Sequence, residues 1–323
     1  MPLVWLASPV KRAVLSALTL LSAFSLAYAL LLSHLGYGYE LHLFSTIIYT
    51  ILGVLVTFGL FRGSSEVSIG LRVLLAGLMG AVAAEELLLN SVFALYGLAL
   101  SVLGLVSLPV LAVRVGGRDG WFRVALEALG LVFATRVVLS PFPVGFLGLP
   151  LFLPIIYTLI LMGLVLYMSI RRVSARDVRL TLGRHGLASQ LGLGLIFGLI
   201  IGFIEYLLLR PPLVLKGAGV FQMLAYILIV LVLMVGVVEE MLFRGLLQGS
   251  LERVLPHWQA IGVASMIFGL MHVGWMNPLE VLLAYGAGVV FGCLAVSTES
   301  LIAPIAAHGI GNLVLYLIAL YQP

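Results

Sequence analysis

The stretch FQMLAYILIVLVLMVGVVEEMLFRGLLQGSL, residues 221–251, decides how the chain is to be read. It stays apolar for longer than the roughly 20 residues needed to cross the hydrocarbon layer of a bilayer. Within it lie two carboxylates and a guanidinium: Glu239, Glu240 and Arg244. A charged side chain at that depth costs at least about 2.5 kcal/mol on insertion scales, so it needs a partner, a water-filled cavity or a function. Glu240 and Arg244 are four residues apart, on one helical face and able to pair. Glu239 is turned about 100° from Glu240 and can point into a cavity.

The rest of the chain is of the same kind. Of its 323 residues 63% are hydrophobic and only 9% charged, against about 25% charged in soluble domains, and the mean hydropathy is +1.23. These values exclude a soluble globular fold and predict an all-α, polytopic integral membrane bundle. Spans are expected at 13–32, 43–61, 69–84, 87–113, 121–139, 150–170, 188–209, 221–251, 260–275, 279–296 and 301–320, about eleven in all. The first is longer than the apolar region of a signal peptide and reads as a retained span. Glu85, Glu86 and Asn90 mark the turn between the third and fourth. The longest polar interval, RRVSARDVRLTLGRHG at 171–186, separates a six-span unit of unassigned role, 1–170, from a five-span unit, 187–323.

Threading the chain with a cytoplasmic N-terminus puts Lys11, Arg12, Arg62, Arg72, Arg114, Arg118, Arg123, Arg171, Arg172, Arg176, Arg179, Arg184 and Arg253 inside. Only Arg136, Arg210 and Lys216 fall outside. This asymmetry is the positive-inside signal. It accounts for the net charge of +4 as topology rather than nucleic-acid binding. The single cysteine, Cys293, forms no intrachain disulfide and reads as a small buried hydrophobe.

Further polar groups gather in the last five spans. FGLMHVG places Phe268 and His272 four apart, and APIAAHGIGN does the same for His308 and Asn312. Each alone is ordinary helix–helix glue. Six buried polar groups on three spans of one unit read as a site. Elsewhere packing explains more: Glu127 can pair with Arg123, Glu85 and Glu86 lack the arginine of the later pair, and His34, His42, His185 and His257 fall in loops or at span ends. Glu205 either lines the cavity or binds a neighbour.

The motifs EEMLFR (239–244), FGLMH (268–272) and FGCLAVSTESLIAPIAAHGIGN (291–312) together resemble the EExxxR, FxxxH and HxxxN signatures of the CPBP (Abi) family of intramembrane proteases, type II CAAX prenyl endopeptidases among them. The resemblance covers roughly residues 186–323. It departs at Ser297-Thr298-Glu299-Ser300, where a Thr-Gly pair is commoner. It implies that Glu239 is a general base working with His272, that Glu240 and Arg244 hold the helix and orient the base, and that His308 and Asn312 stabilise an oxyanion.

Those roles match what peptide hydrolysis requires: an activated water, donors for the oxyanion and a proton for the leaving amine. A metal-free, glutamate-based enzyme is the favoured expectation. Zinc is the alternative, with Glu239, His272 and His308 as ligands and an open fourth position. The expected substrate is a membrane-embedded or lipidated peptide, with a prenylated CAAX terminus as the narrower case. The expected setting is a prokaryotic cell membrane, with the site opening toward the cytoplasm. A non-catalytic scaffold or immunity-type protein of the same fold, and a transporter, are the competing readings. The concentration of charges in one half counts against the transporter.

Overall fold

The computed structural model describes residues 51–62, 69–115, 120–139, 149–210 and 219–319. The expected span at 13–32, the start of the second, and Lys11, Arg12, His34, His42, Arg118 and Lys216 lie outside the described residues. Regular structure among the described residues is helical throughout. In chain order it comprises α1 (Ile51–Phe61), α2 (Ile69–Leu89), α3 (Ala94–Val115), α4 (Gly120–Leu139), α5 (Leu149–Arg171), α6 (Leu187–Leu209), α7 (Phe221–Leu251), α8 (His257–Leu270), α9 (Pro278–Thr298) and α10 (Ile302–Ala319). The helices α3, α5, α6, α7 and α9 are long and apolar enough to cross a membrane, while α1 and α10 are apolar but shorter. Five spans thus stand on helix length and composition among the described residues.

The third and fourth predicted spans meet later than expected. Helix α2 runs through Glu85 and Glu86 to Leu89, and the turn falls at Asn90 to Phe93. Asn90 stops the helix by donating its amide to the Glu86 carbonyl at 2.8 Å, and the Phe93 N–H is taken up by the Ser91 hydroxyl at 3.1 Å. The two glutamates stay helical because they find partners inside the bundle: Ser101 donates to Glu85 and Arg136 to Glu86.

Arg136 and Arg72, expected as flanking charges, are instead inward residues of α4 and α2. With Glu127 also buried, ionisable groups are not confined to the second half. Glu127 does pair with Arg123 at 3.0 Å, and it also accepts from Tyr167 and Arg171. Cys293 corrects the opposite way: it lies on the exposed side of α9 rather than in the core.

Small residues set the closest helix pair. Gly194, Gly198 and Gly202 of α6 recur every four residues, and a Cβ at each would come within 2.4 Å of the Ala306 Cβ, 2.6 Å of the Ala307 carbonyl oxygen and 2.4 Å of the Gly311 carbonyl oxygen. Such a stripe lets α6 and α10 approach to backbone contact, the usual solution where apolar lipid supplies no hydrophobic drive between helices.

The polar interval 171–186 is a strap and not a loose linker. Thr181 accepts from the Ser300 hydroxyl at 2.6 Å, the Arg179 carbonyl accepts from the Leu301 N–H at 2.9 Å, and Arg179 pairs with Glu252. Arg184 reaches Glu299 at 2.8 Å. Glu299 itself sits at φ 54, the left-handed position at a helix C-terminus that glycine occupies at least cost. The departure from Thr-Gly therefore falls where the backbone does favour glycine.

Candidate active site

Helix α7 is not uniformly wound. Wide π-type turns at Ile227–Val235 and Met241–Gln248 flank a short α-helical link, Gly236–Glu240. Such turns often mark functional positions in helices. Neighbours in the link diverge by about 100°, so Glu240 faces into the bundle while Glu239 faces a cavity.

Glu240 is fully enclosed. Its Oε1 accepts from Arg244 Nη1 at 3.0 Å and from His308 Nδ1 at 2.7 Å. Arg244 is caged by aromatic rings, its guanidinium carbon 4.2 Å from the Phe268 centroid and 5.2 Å from that of Phe291. Phe291 also stacks on the His308 ring at 5.5 Å. The first and third motifs are thereby joined through one carboxylate: the pair that anchors α7 also sets the orientation of His308. Charged groups buried this deeply persist only when paired and hydrogen-bonded.

His272 stands just past the end of α8, at φ −95 and ψ 4, and not within a helix as its spacing from Phe268 suggests. Its Nδ1 lies 2.9 Å from the Phe268 carbonyl oxygen. A carbonyl only accepts, so Nδ1 carries the hydrogen and the Nε2 of the neutral ring is a free acceptor.

Four of the expected site residues, Glu239, His272, His308 and Asn312, line two cavities that share His272 as a wall, while Glu240 and Arg244 line neither. One, about 180 Å³, is lined by Glu239 and His272 together with Tyr157, Arg136, Thr135 and Trp275. The other, about 40 Å³, is lined by His272, His308, Asn312, Glu205 and Glu280 among others. Between the cavities, Glu239 Oε2 lies 3.9 Å from His308 Nε2. Asn312 gives one amide hydrogen to the Leu231 carbonyl at 3.0 Å, which leaves its second for another acceptor. Glu205, undecided from sequence, does line the smaller cavity.

Among the described residues no three His, Cys, Asp or Glu side chains lie together as metal ligands do, and Glu239, His272 and His308 are not so grouped.

Three site residues escaped the sequence reading. Tyr157 of α5 donates its hydroxyl to Glu239 Oε1. Arg136 of α4 pairs with Glu86 and donates Nη2 to the Met271 carbonyl at 2.6 Å, beside His272. Glu280 is buried in the first turn of α9, with Oε2 lacking a partner. The last two had a signal, an ionisable group within a span or its end turn. Tyr157 had none, since one tyrosine in an apolar run looks like core.

Residues 221–314 match the family described as Rce1-like, type II CAAX prenyl endopeptidase Rce1-like. No curated protein and no solved structure matches the chain. The matched segment runs from the start of α7 into α10 and contains Glu239, Glu240, Arg244, His272, His308 and Asn312, so it agrees with the family resemblance carried by the three motifs. Tyr157, Arg136 and Glu205 fall outside it.

Proposed function

We propose that this membrane protein, similar at 221–314 to type II CAAX prenyl endopeptidases, hydrolyses an amide bond in a membrane-associated, lipid-modified peptide. The observation that carries the reading is the shared cavity of Glu239 and His272, with His308 Nε2 3.9 Å from the Glu239 carboxylate. A carboxylate and an imidazole acceptor on one void can hold a water by both its hydrogens. As the water oxygen bonds to the carbonyl carbon, its proton passes to Glu239 and the carbonyl π pair becomes an oxyanion. Collapse re-forms the carbonyl, breaks the C–N bond and returns the proton from Glu239 to the leaving nitrogen, so no net proton is consumed.

Donors for the oxyanion come from the remaining Asn312 N–H and from His308. With Nδ1–H given to Glu240, His308 donates from Nε2 only when both its nitrogens are protonated. Glu240 on one side of the ring and the oxyanion on the other supply the counter-charge. In the same reading the chain crosses the bilayer about eleven times, with its N-terminus on the cytoplasmic side, as the positive-inside rule directs.

The test is cleavage of a quenched-fluorescent farnesylated CAAX peptide by protein reconstituted in liposomes. Wild-type protein is expected to cleave it, also after chelator treatment, while Glu239→Gln and His272→Ala are expected to insert normally and be inactive. Full turnover in both variants removes the assignment. Loss of wild-type activity on chelation with recovery on zinc replaces the glutamate mechanism by a metal-dependent one.

A further inference from the structure

The N-terminal helices reach the site at two points, one on Glu239 itself and one on the residue before His272. From α5, the Tyr157 hydroxyl donates to Glu239 Oε1. From α4, Arg136 Nη2 holds the carbonyl of Met271 at 2.6 Å, and Met271 immediately precedes His272. Arg136 is itself fixed by Glu86 of α2, whose backbone carbonyl takes the Asn90 amide at 2.8 Å. Two helices of the first unit, α4 and α5, therefore reach the cavity that Glu239 and His272 line, and α2 braces α4 through Glu86. Tyr157 and Arg136 line it as well.

The two oxygens of Glu239 are thereby made unequal. Oε1 is occupied by Tyr157, and Oε2 is the oxygen turned toward His308 Nε2 at 3.9 Å. A carboxylate on a freely rotating side chain presents either oxygen to a water. One pinned by a hydrogen bond presents a single oxygen in a fixed direction, the orientation a proton transfer needs. His272 has a parallel need. It lies beyond the last turn of α8, where only turn bonds hold its backbone, its N–H on the Gly269 carbonyl at 3.0 Å and its own carbonyl taking the Trp275 N–H at 3.1 Å, and Arg136 adds a side-chain grip on the carbonyl one residue before it.

We infer that the N-terminal unit is a working part of the site: Tyr157 and Arg136 are positioning residues that hold Glu239 and His272 in the geometry for water activation. Neither residue needs to touch the substrate. The inference rests on the proposed peptidase reading for its kinetic arm and on geometry alone for its chemical arm.

Tyr157→Phe keeps the ring and removes only the donor. In the liposome assay it lowers kcat about tenfold, the worth of one hydrogen bond to a charged group, with KM within about twofold and the melting temperature unchanged. Arg136→Lys, which retains the charge and one donor, recovers part of the kcat lost in Arg136→Gln. The chemical arm labels Glu239 with a hydrophobic carbodiimide and reads the adduct by mass spectrometry. With the hydroxyl gone from Oε1, labelling of Glu239 rises several-fold in Tyr157→Phe, in protein that is otherwise folded alike.

The outcomes separate the two claims. If wild-type protein cleaves no lipidated peptide, the peptidase reading fails, while the labelling still decides whether Tyr157 covers Glu239. A wild type that cleaves, with Glu239 essential and Tyr157→Phe at full kcat, overturns this inference and leaves the peptidase reading standing. Unchanged labelling overturns it as well.

Discussion

Two pairs of adjacent glutamates lie inside this molecule, Glu85–Glu86 in α2 and Glu239–Glu240 in α7, and they end in different states. In the first pair both acids are spent on structure: Glu85 accepts from Ser101, and Glu86 accepts from Arg136. In the second only Glu240 is spent, on Arg244 and His308. Glu239 is left with one oxygen on Tyr157 and an opening into about 180 Å³ of cavity. The dipeptide is the same. What differs is where the cation stands: four residues along the same helix for Glu240, on a helix 50 residues away for Glu86. A partner on the same helix neutralises one acid and leaves its neighbour facing about 100° away.

The largest expected effect breaks the symmetry of the pairs directly. Glu239→Gln should lower turnover of the lipidated reporter by about 10²- to 10⁴-fold, the range for loss of a general base. Glu85→Gln should leave turnover near wild type. Equal losses in both would mean that the pairs do not differ as described. Next comes stability. Arg244 and Glu240 are 1% and 0% exposed, so Arg244→Met leaves an uncompensated buried charge and should cost about 3–5 kcal/mol in detergent unfolding. Glu86 is as deeply buried, but Arg136 is 17% exposed, and Arg136→Met should cost less.

A smaller effect tests how α10 is held against its neighbour. Gly198→Val places a side chain where the Ala307 carbonyl and Ile310 already stand within 2.7 Å, and should destabilise by about 1–3 kcal/mol through overpacking. Gly192→Ala, with open space around it, should be neutral and serves as the control.

The smallest effect lies in the strap. Desolvation at Asp177 works against ionisation, but the Ser174 hydroxyl and N–H bonds and the nearby charges of Arg253 and Arg176 outweigh it, holding the carboxyl below its ordinary 3.8. A carboxylate depressed on folding adds stability above its unfolded value, and that stability is lost as pH falls through the folded one. Asp177→Asn should therefore flatten a slight loss of melting temperature below about pH 4. It should change little at neutral pH, as expected of a solvent-screened ion pair.

How much of this could be read from the residues varies with the range of the interaction. The pairing of Glu240 with Arg244 and the divergence of Glu239 were legible because helical geometry fixes neighbours four and one apart. So was the pairing of Arg123 with Glu127. The turn between the third and fourth expected spans was misplaced because buried glutamates look like a helix end until Ser101 and Arg136 are seen to receive them. Arg136 looks like a flanking charge in the sequence for the same reason: its partner lies in another helix. Glu280 and Tyr157 went unread, one at a span boundary and one as a lone aromatic among aliphatics.

The amino-acid order alone settled that the chain is an α-helical membrane protein and named the six residues of the three motifs, since hydropathy and helical spacing are local properties that survive without knowledge of packing. Only the tertiary structure decided that Glu240 orients His308, that Glu239, His272, His308 and Asn312 divide between two cavities sharing His272, and that α4 and α5 supply Arg136 and Tyr157 to that place. Such contacts join residues 68 to 135 positions apart. Nothing local encodes them: they exist because burying one ionisable group in a low-dielectric interior requires another element to arrive with its complement.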